Sequence, residues 1–574
     1  RLVPKSEPYK LKYEAIKILK EMEVELVDLL KDTPEKQVKE EHTMLAVVYL
    51  HLGLLHADTE ELKSAEEQFM KCLEIMKGRE LEPEAILPVL SALNQLGIIW
   101  SQWSQPAKAK VVLDQAKQIY TDFTNTNDTY KDPVNMAQNF GIETKDDLHP
   151  KEILEKLHTL TLYYLAQVYG SLKDYHKSAV HCHMTLQRQL GFKKIMEDLD
   201  HVDWALNAAT LSQYFIEKNC FSQARHHLAA ASYILQEYES VLKKRIENDE
   251  KSEALTAEWE NYKHRSADVA RCWAKYGICL LSLSKEKLLQ KIEIDDGTEV
   301  SESKDESEGI DSLKFEVLEE KLNAFTGQVA DKYLLDFDDA KPVFLNVQKW
   351  LEQAKTYYTL ENHASDYVAL AQDMSHAYKY LAFYEQHEDR QSKMHKRRID
   401  ILENVIKELN PQYYKSVCRQ IWIELGETYV NVLDIKLDRL RTTDENPTPQ
   451  ALAKINHLAR SAITNFKSFL DSVKIRSQSV TDIEQLPEDV VEQVLLTHFQ
   501  LGWLYNKMIT PDKTVQLENA ENSFKAYQFI INYCEKYPSA AEFVKVELNL
   551  CKEVVSLLPL KINKPRKHGL RADK

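Results

Sequence analysis

Glycine and proline are scarce in this 574-residue chain. Its 13 glycines and 17 prolines make up about 5% of the residues, against roughly 12% in average usage. An all-β fold needs a tight turn every ~8–12 residues and is excluded, as are collagen-like and Pro/Gly-rich chains. Phosphate-cradling loops need glycine too, and neither a GxGxxG nor a P-loop pattern occurs. HExxH, GxSxG and EF-hand patterns are also missing, so the common signatures of zinc-protease, serine-hydrolase and calcium chemistry are absent. The eight cysteines, Cys72, Cys182, Cys220, Cys272, Cys279, Cys418, Cys534 and Cys551, form no CxxC pair. Scattered through apolar stretches of a long chain, they read as reduced, buried thiols of a cytosolic protein. Basic residues are outnumbered 74 to 90, for a net charge of -16. Phosphate binding needs a cationic footprint, so nucleic acid is excluded as the main partner. The acidic excess suits a partner with a basic surface, or solubility alone. One uncharged run, Ala85–Ala107, is long enough for a membrane, but Pro88, Asn94, three serines and three glutamines make it too polar for hydrocarbon. No membrane insertion is expected.

Apolar residues are plentiful, at 44%, and they recur with an internal repeat. A small residue midway along one helix is followed at +12, +16 and +19 by small, large and small residues on the next. The sets are Gly53 with Ala65, Phe69 and Cys72; Gly97 with Ala109, Leu113 and Ala116; Ala166 with Ser178, Cys182 and Thr185; and Ser212 with Ala224, Leu228 and Ala231. Small residues let two helices approach closely, and large ones fill the groove between them. Four sets in one frame predict an all-α, right-handed, tetratricopeptide-like solenoid. In the C-terminal half, Gly426 with Tyr429 and Gly502 with Tyr505 look like further first helices. Ala520, Phe524 and Tyr527 would then form the second helix after Gly502, with an insert around Thr510-Pro511-Asp512.

The expected layout has an N-terminal helical segment over 1–40 and a repeat lobe over 41–283. Its repeats fall near 42–76, 86–119, 155–189 and 201–235, followed by long helices. An acidic loop over 284–312 follows, densest over 294–311, where eight acids face one base and burial is unaffordable. A C-terminal helical lobe spans 313–560 and a basic tail, expected to fray, spans 561–574. Asn127-Asp128-Thr129 forms a sequon, read as accidental.

No enzymatic constellation emerges, and no cofactor is expected. His181 and His183 sit two apart on a helix, about 200° apart around its axis, so they cannot share a metal. His226-His227 reads as a helix-surface pair. The run Lys393-Met394-His395-Lys396-Arg397-Arg398 is a dense basic patch. It is open to three readings: a solvated face, a nuclear address, or a contact patch for acidic groups made by Lys393, Lys396, Arg397 and Arg398.

A ligand of such a solenoid would lie on the face formed by the first helices. The residue after each mid-helix small position faces that groove: Leu54, Ile98, Gln167 and Gln213, the two apolar ones being open also to cover by flanking helices. Gln189 and Asn207 lie nearby, and Tyr164 and Thr210 lie on the groove's edge. Neutral hydrogen-bonding groups suit a protein surface better than a small charged ligand, or are ordinary exposed polar residues. Co-chaperone repeats clamp a peptide carboxylate with Lys and Asn. Leu50 and Leu54, then Asn94 and Ile98, occupy those positions here, so that clamp is absent.

Several segments are more specific. They include Leu162-Tyr163-Tyr164-Leu165-Ala166-Gln167-Val168-Tyr169, Trp204-Ala205-Leu206-Asn207-Ala208-Ala209-Thr210-Leu211-Ser212-Gln213 and Lys393-Met394-His395-Lys396-Arg397-Arg398-Ile399. Leu409-Asn410-Pro411-Gln412-Tyr413-Tyr414, Tyr533-Cys534-Glu535-Lys536 and Val555-Ser556-Leu557-Leu558-Pro559 join them. Through these the chain, from Glu7 to Pro559, resembles the kinesin-binding protein (KIF-binding protein) family. The resemblance implies a non-enzymatic, cytoplasmic, cytoskeleton-associated regulator that binds kinesin motor domains and keeps them off microtubules. It also implies roles in axon growth, organelle traffic and the spindle. It places the motor against Tyr164, Gln167, Gln189, Thr210 and Gln213. A monomer is the favoured state. A general scaffold joining several partners through separate lobes is the competing reading.

Overall fold

A computed structural model describes residues 9–32, 38–125, 132–142, 149–191, 200–248, 252–293, 312–442, 448–473 and 485–569. Among these are nineteen α-helices and no strand. The chain divides into two compact units. The first comprises residues 1–262 with 302–328, and the second comprises 263–301 with 329–574. The acidic loop expected over 284–312 starts later than that, because residues 284–293 continue a helix that ends at Glu293; the acidic run 294–311 and the sequon at 127–129 lie outside the described residues.

The first unit starts with α1 (Lys10–Asp32) and continues as four helix pairs. These are α2 (Val38–Asp58) with α3 (Leu62–Ile75), α4 (Ile86–Gln102) with α5 (Pro106–Asn125), α6 (Pro150–Ser171) with α7 (Tyr175–Gly191), and α8 (His201–Glu217) with α9 (Phe221–Glu247). Each helix packs on its successor, and the first helices also stack, α2 on α4 and α4 on α6. That double adjacency defines a solenoid of helical repeats. The small–large offset is the physical joint of each early pair. A Cβ built on Gly53 would lie 2.4 Å from the Phe69 ring, and one on Gly97 would lie 2.7 Å from Leu113. Phe69 and Leu113 are fully buried, worth about 2–3 kcal/mol each in apolar transfer. In the third pair Ser178 Oγ donates to the Ala166 carbonyl at 2.7 Å, tying the +12 position to the mid-helix one.

A second periodicity is visible only in the backbone. Glu60, Ser104, Lys173 and Asn219 have φ of 65°, 56°, 63° and 60°. Each lies seven residues after its mid-helix small residue, in the turn between paired helices. In every case the next amide closes the turn on a carbonyl five residues back: Glu61 on His56, Gln105 on Trp100, Asp174 on Tyr169 and Cys220 on Phe215, at 2.8–2.9 Å. The left-handed residue reverses the chain within about three positions, as αL helix caps do.

The first unit is completed from far along the chain. Residues 312–328, with α11 (Glu319–Thr326), pack on α9. The long helix α10 (Glu253–Glu293) has its start assigned to the first unit and the rest, from Lys263, to the second.

The second unit continues through α12 (Phe337–Lys355), α13 (Ala364–Tyr384), α14 (Glu388–Glu408), α15 (Lys415–Thr442), α16 (Pro449–Val473), α17 (Val491–Lys507), α18 (Lys513–Lys536) and α19 (Lys545–Gly569). The same joints recur. A Cβ on Gly426 would meet the Phe466 ring at 2.4 Å, and one on Gly502 the Tyr527 ring at 2.6 Å. The expected register after Gly502 needs correction. Ser523, not Ala520, takes the small position, donating to the Gly502 carbonyl at 2.8 Å. Buried Tyr527, not half-buried Phe524, is the large residue. The connection after Gly502 is therefore three residues longer than the expected insert. The basic tail is helical as far as Gly569.

No helix among the described residues is long and apolar enough to cross a membrane. Ala85–Ala107 is accounted for by α4, most of whose residues are buried in the first unit.

Candidate functional site

Three of the anticipated groove residues converge. Tyr164 and Gln167, one turn apart on α6, line a depression of about 590 Å³ with Ile98 of α4. Ser101, Gln102, Ser104 and Pro106, from the end of α4 and its turn into α5, complete it with Val168 and Ser171. No lining residue carries a formal charge. Gln167 is exposed and its amide has both donor and acceptor free for a partner. Partial burial, then the neighbouring Tyr163, pushes the Tyr164 phenol up, so it is a neutral donor at physiological pH. The Ser104 contribution was not legible from the sequence. It follows from the left-handed turn, which projects residues 101–106 beside the first-helix face.

The other anticipated residues stand apart from this depression. Asn207, Thr210 and Gln213 follow one another at three-residue spacing along α8. The first two are exposed and Gln213 is half-buried. Gln189 is half-buried on α7, the second helix of its pair rather than a first helix. Leu50 is fully buried. Asn94 is buried too, donating to the Leu157 carbonyl at 2.9 Å and accepting from Thr161 at 2.8 Å. It therefore fastens α4 to α6 and presents nothing to a ligand.

The histidine pair needs correction. His226 and His227 are interior, not surface, residues. With His183 and Trp204 they surround Phe315, whose ring centroid lies 4.8–5.7 Å from theirs. His183 Nδ1 and His227 Nε2 are 2.9 Å apart, and the Phe315 amide donates to His226 Nε2 at 2.8 Å. Burial lowers His183 and His226 to about 4 and His227 well below its usual range. All three are neutral at pH 7, and the cluster is structural. Among the described residues no group of His, Cys, Asp and Glu could hold a metal ion.

The basic patch splits. Lys393, Lys396 and Arg397 are exposed on α14. Arg398 is 1% exposed and is no part of a surface patch. Its guanidinium donates to Ser375 Oγ at 3.1 Å and reaches the Glu424 carboxylate at 3.5 Å. It also meets His395 Nδ1 at 3.2 Å. His395 is buried as well and lowered to about 4, first by burial and then by Arg398. An isolated buried cation is very costly, so these partners on α13 and α15 are what permit its position. The three exposed cations line a second cavity, of about 730 Å³, with Phe337, Lys341, Tyr378, Glu385, Arg390, Met394 and Asp400.

Comparison with known proteins places these features in a family. Residues 202–564 match the family model described as KIF-1 binding protein C terminal. The chain is 35% identical to the KIF-binding protein of Gallus gallus, over 98% of this chain and 94% of the relative. It is 35% identical to that of Homo sapiens, over 98% and 95%, and 34% identical to that of Drosophila melanogaster, over 98% and 93%. A solved structure described as "Cryo-EM map of KIFBP" superposes with a TM-score of 0.64 at 30% identity, covering 99% of this chain and 100% of that one.

Proposed function

This chain belongs to the KIF-binding protein family, and from that premise we propose that it binds kinesin motor domains and blocks their attachment to microtubules. The family assignment supports the partner class. The observation that carries the site is the uncharged depression where Tyr164, Gln167 and Ile98 meet. Amides, hydroxyls and one apolar wall fit a folded protein surface, where hydrogen bonds and shape rather than one ionic anchor set specificity. Asn207, Thr210 and Gln213 extend the same hydrogen-bonding character along α8, with Gln189 on α7. The net charge of -16 would steer a motor whose track-binding surface is basic. The mechanism is competitive occlusion: the bound chain covers the track-binding surface, and nucleotide chemistry is untouched. No cofactor enters it. In this reading the protein acts as a cytoplasmic, cytoskeleton-associated monomer that controls microtubule-based transport.

The test is co-pelleting of purified kinesin motor domains with microtubules in a non-hydrolysable ATP analogue, with and without the full chain. A motor that leaves the pellet and co-elutes with this protein supports the proposal. Q167A and T210A should each weaken that release about 3–10-fold, the range for hydrogen-bonding residues at an interface. Rising ionic strength should slow association. Motors that bind the chain yet stay on microtubules would refute occlusion and leave a scaffold.

A further inference from the structure

The cavity beside α14 lies wholly within the second unit, and the proposed motor site gives it no role. Its lining has an unusual composition for so acidic a chain. Arg390, Lys393, Met394 and Arg397 recur at three- and four-residue spacing, so one face of α14 forms a wall. Lys396 and Asp400 flank that wall, and Lys341 faces it from α12. Five cations thus meet two acids. Half-buried Phe337, Tyr378 and Met394 supply an apolar floor. The volume, about 730 Å³, is that of a ligand pocket.

The second acid is informative. Glu385, in the turn between α13 and α14, is only 4% exposed. One carboxylate oxygen accepts from the His387 amide at 3.0 Å. The other, Oε2, has no hydrogen-bond partner, and its nearest cation, Arg390, is 3.7 Å away. A buried carboxylate oxygen without a donor is costly. The cavity therefore asks for three things of an occupant: anionic groups for the lysines and arginines, an apolar group for the floor, and an N–H or O–H donor for Glu385. Inorganic phosphate and polyphosphates supply anionic groups and P–OH donors, but no apolar group for Phe337, Tyr378 and Met394. An acidic peptide segment supplies all three, because its backbone amides are donors and its side chains can alternate acid with aromatic.

We propose that the α12–α13–α14 cavity is a second binding site, for an acidic peptide segment carrying an aromatic or large aliphatic residue. The exposed Lys393 and Arg397 pair with its carboxylates, Phe337 and Tyr378 take its apolar side chain, and Glu385 accepts from its backbone.

The experiment is fluorescence polarisation with the full chain and a fluorescein-labelled hexapeptide, Glu-Asp-Phe-Glu-Asp-Glu. Saturable binding is expected, weakening as salt rises. The K393E/R397E variant changes two exposed positions and should keep its melting temperature while losing about tenfold or more in affinity. A counterpart peptide with Gln and Asn for the acids should not bind. Inositol hexakisphosphate should displace the labelled peptide less effectively than unlabelled peptide does. Absence of saturable binding overturns the proposal, and so does unchanged affinity in K393E/R397E. Displacement by hexakisphosphate at lower concentration than by peptide also overturns it, in favour of a small polyanion.

Discussion

Gly53→Ala isolates the joint on which the repeats are built. In an exposed helix interior the change would stabilise by about 1 kcal/mol, because alanine has the better helix propensity. Here the new Cβ would lie 2.4, 2.6 and 2.9 Å from three carbons of the Phe69 ring. The ring must retreat by about 1 Å or more to reach ordinary contact, inside a core where Phe69, Ala65 and Cys72 are fully buried. Overpacking of that kind costs roughly 1–3 kcal/mol, which offsets the propensity gain and leaves a net loss of up to about 2 kcal/mol. Gly191→Ala is the control: nothing lies within 4 Å of its Cβ position, and no loss is expected. Phe69→Leu shortens the opposing side chain. Combined with Gly53→Ala it should be less damaging than the two single losses summed, with a coupling of about 1 kcal/mol. Peptide-resolved hydrogen exchange over α2 and α3 reads this locally, without requiring the whole chain to unfold in one step. Exchange in G53A as slow as in the wild type, or slower, would refute the close-packing account of the repeat.

Two further outcomes are expected. In the histidine cluster, burial lowers His183 and His226 to about 4, against about 6.5 in an unfolded chain. The native state thus binds its protons later than the unfolded state. Their contribution is fully present above pH 6.5 and is lost as pH falls from there toward 4, at about 1.4 kcal/mol per pH unit per histidine. Protection around α9 and Phe315, taken relative to the intrinsic amide exchange rate at each pH, should therefore fall between pH 7 and pH 5, less so in H183F, and equal protection at both pH values would contradict this. In the third of the left-handed turns, Lys173 is exposed with φ of 63°. Lys173→Gly removes the left-handed penalty of roughly 1–2 kcal/mol and adds about 0.5–1 kcal/mol of chain entropy cost. A small rise in melting temperature is expected, and a fall would show that the lysine side chain, not the turn, governs that site.

The scaffold was legible where side-chain size alone carries the information. Gly53 and Phe69, or Gly97 and Leu113, announce their contact because a groove needs a void and a filler at fixed offsets. The turn at +7 was invisible because its requirement is a backbone angle, met by Glu, Ser, Lys and Asn alike. For the same reason the 101–106 edge of the depression went unseen, although Ile98, Tyr164 and Gln167 were legible. After Gly502 the helical register slipped by three residues because insert lengths leave no periodic trace. His226, His227 and Arg398 were misread for a different cause. Polarity in one segment says nothing of a cover supplied from elsewhere. The cover of His226 and His227 comes from Phe315, and that of Arg398 from Ser375 and Glu424.

Phe315 also sets a schedule for biosynthesis. The first unit cannot close when its last contiguous residue, Tyr262, leaves the ribosome, because its histidine cluster and Trp204 still lack their central ring. Closure waits until residues up to Gln328 have emerged, a delay of several seconds at roughly 5–20 residues per second. By then the opening stretch of the second unit is already outside. Translation therefore interleaves the two folding events rather than finishing one before the other begins. A fragment cut near residue 300 would be a nascent chain arrested mid-assembly, and a usable N-terminal fragment must run through residue 328.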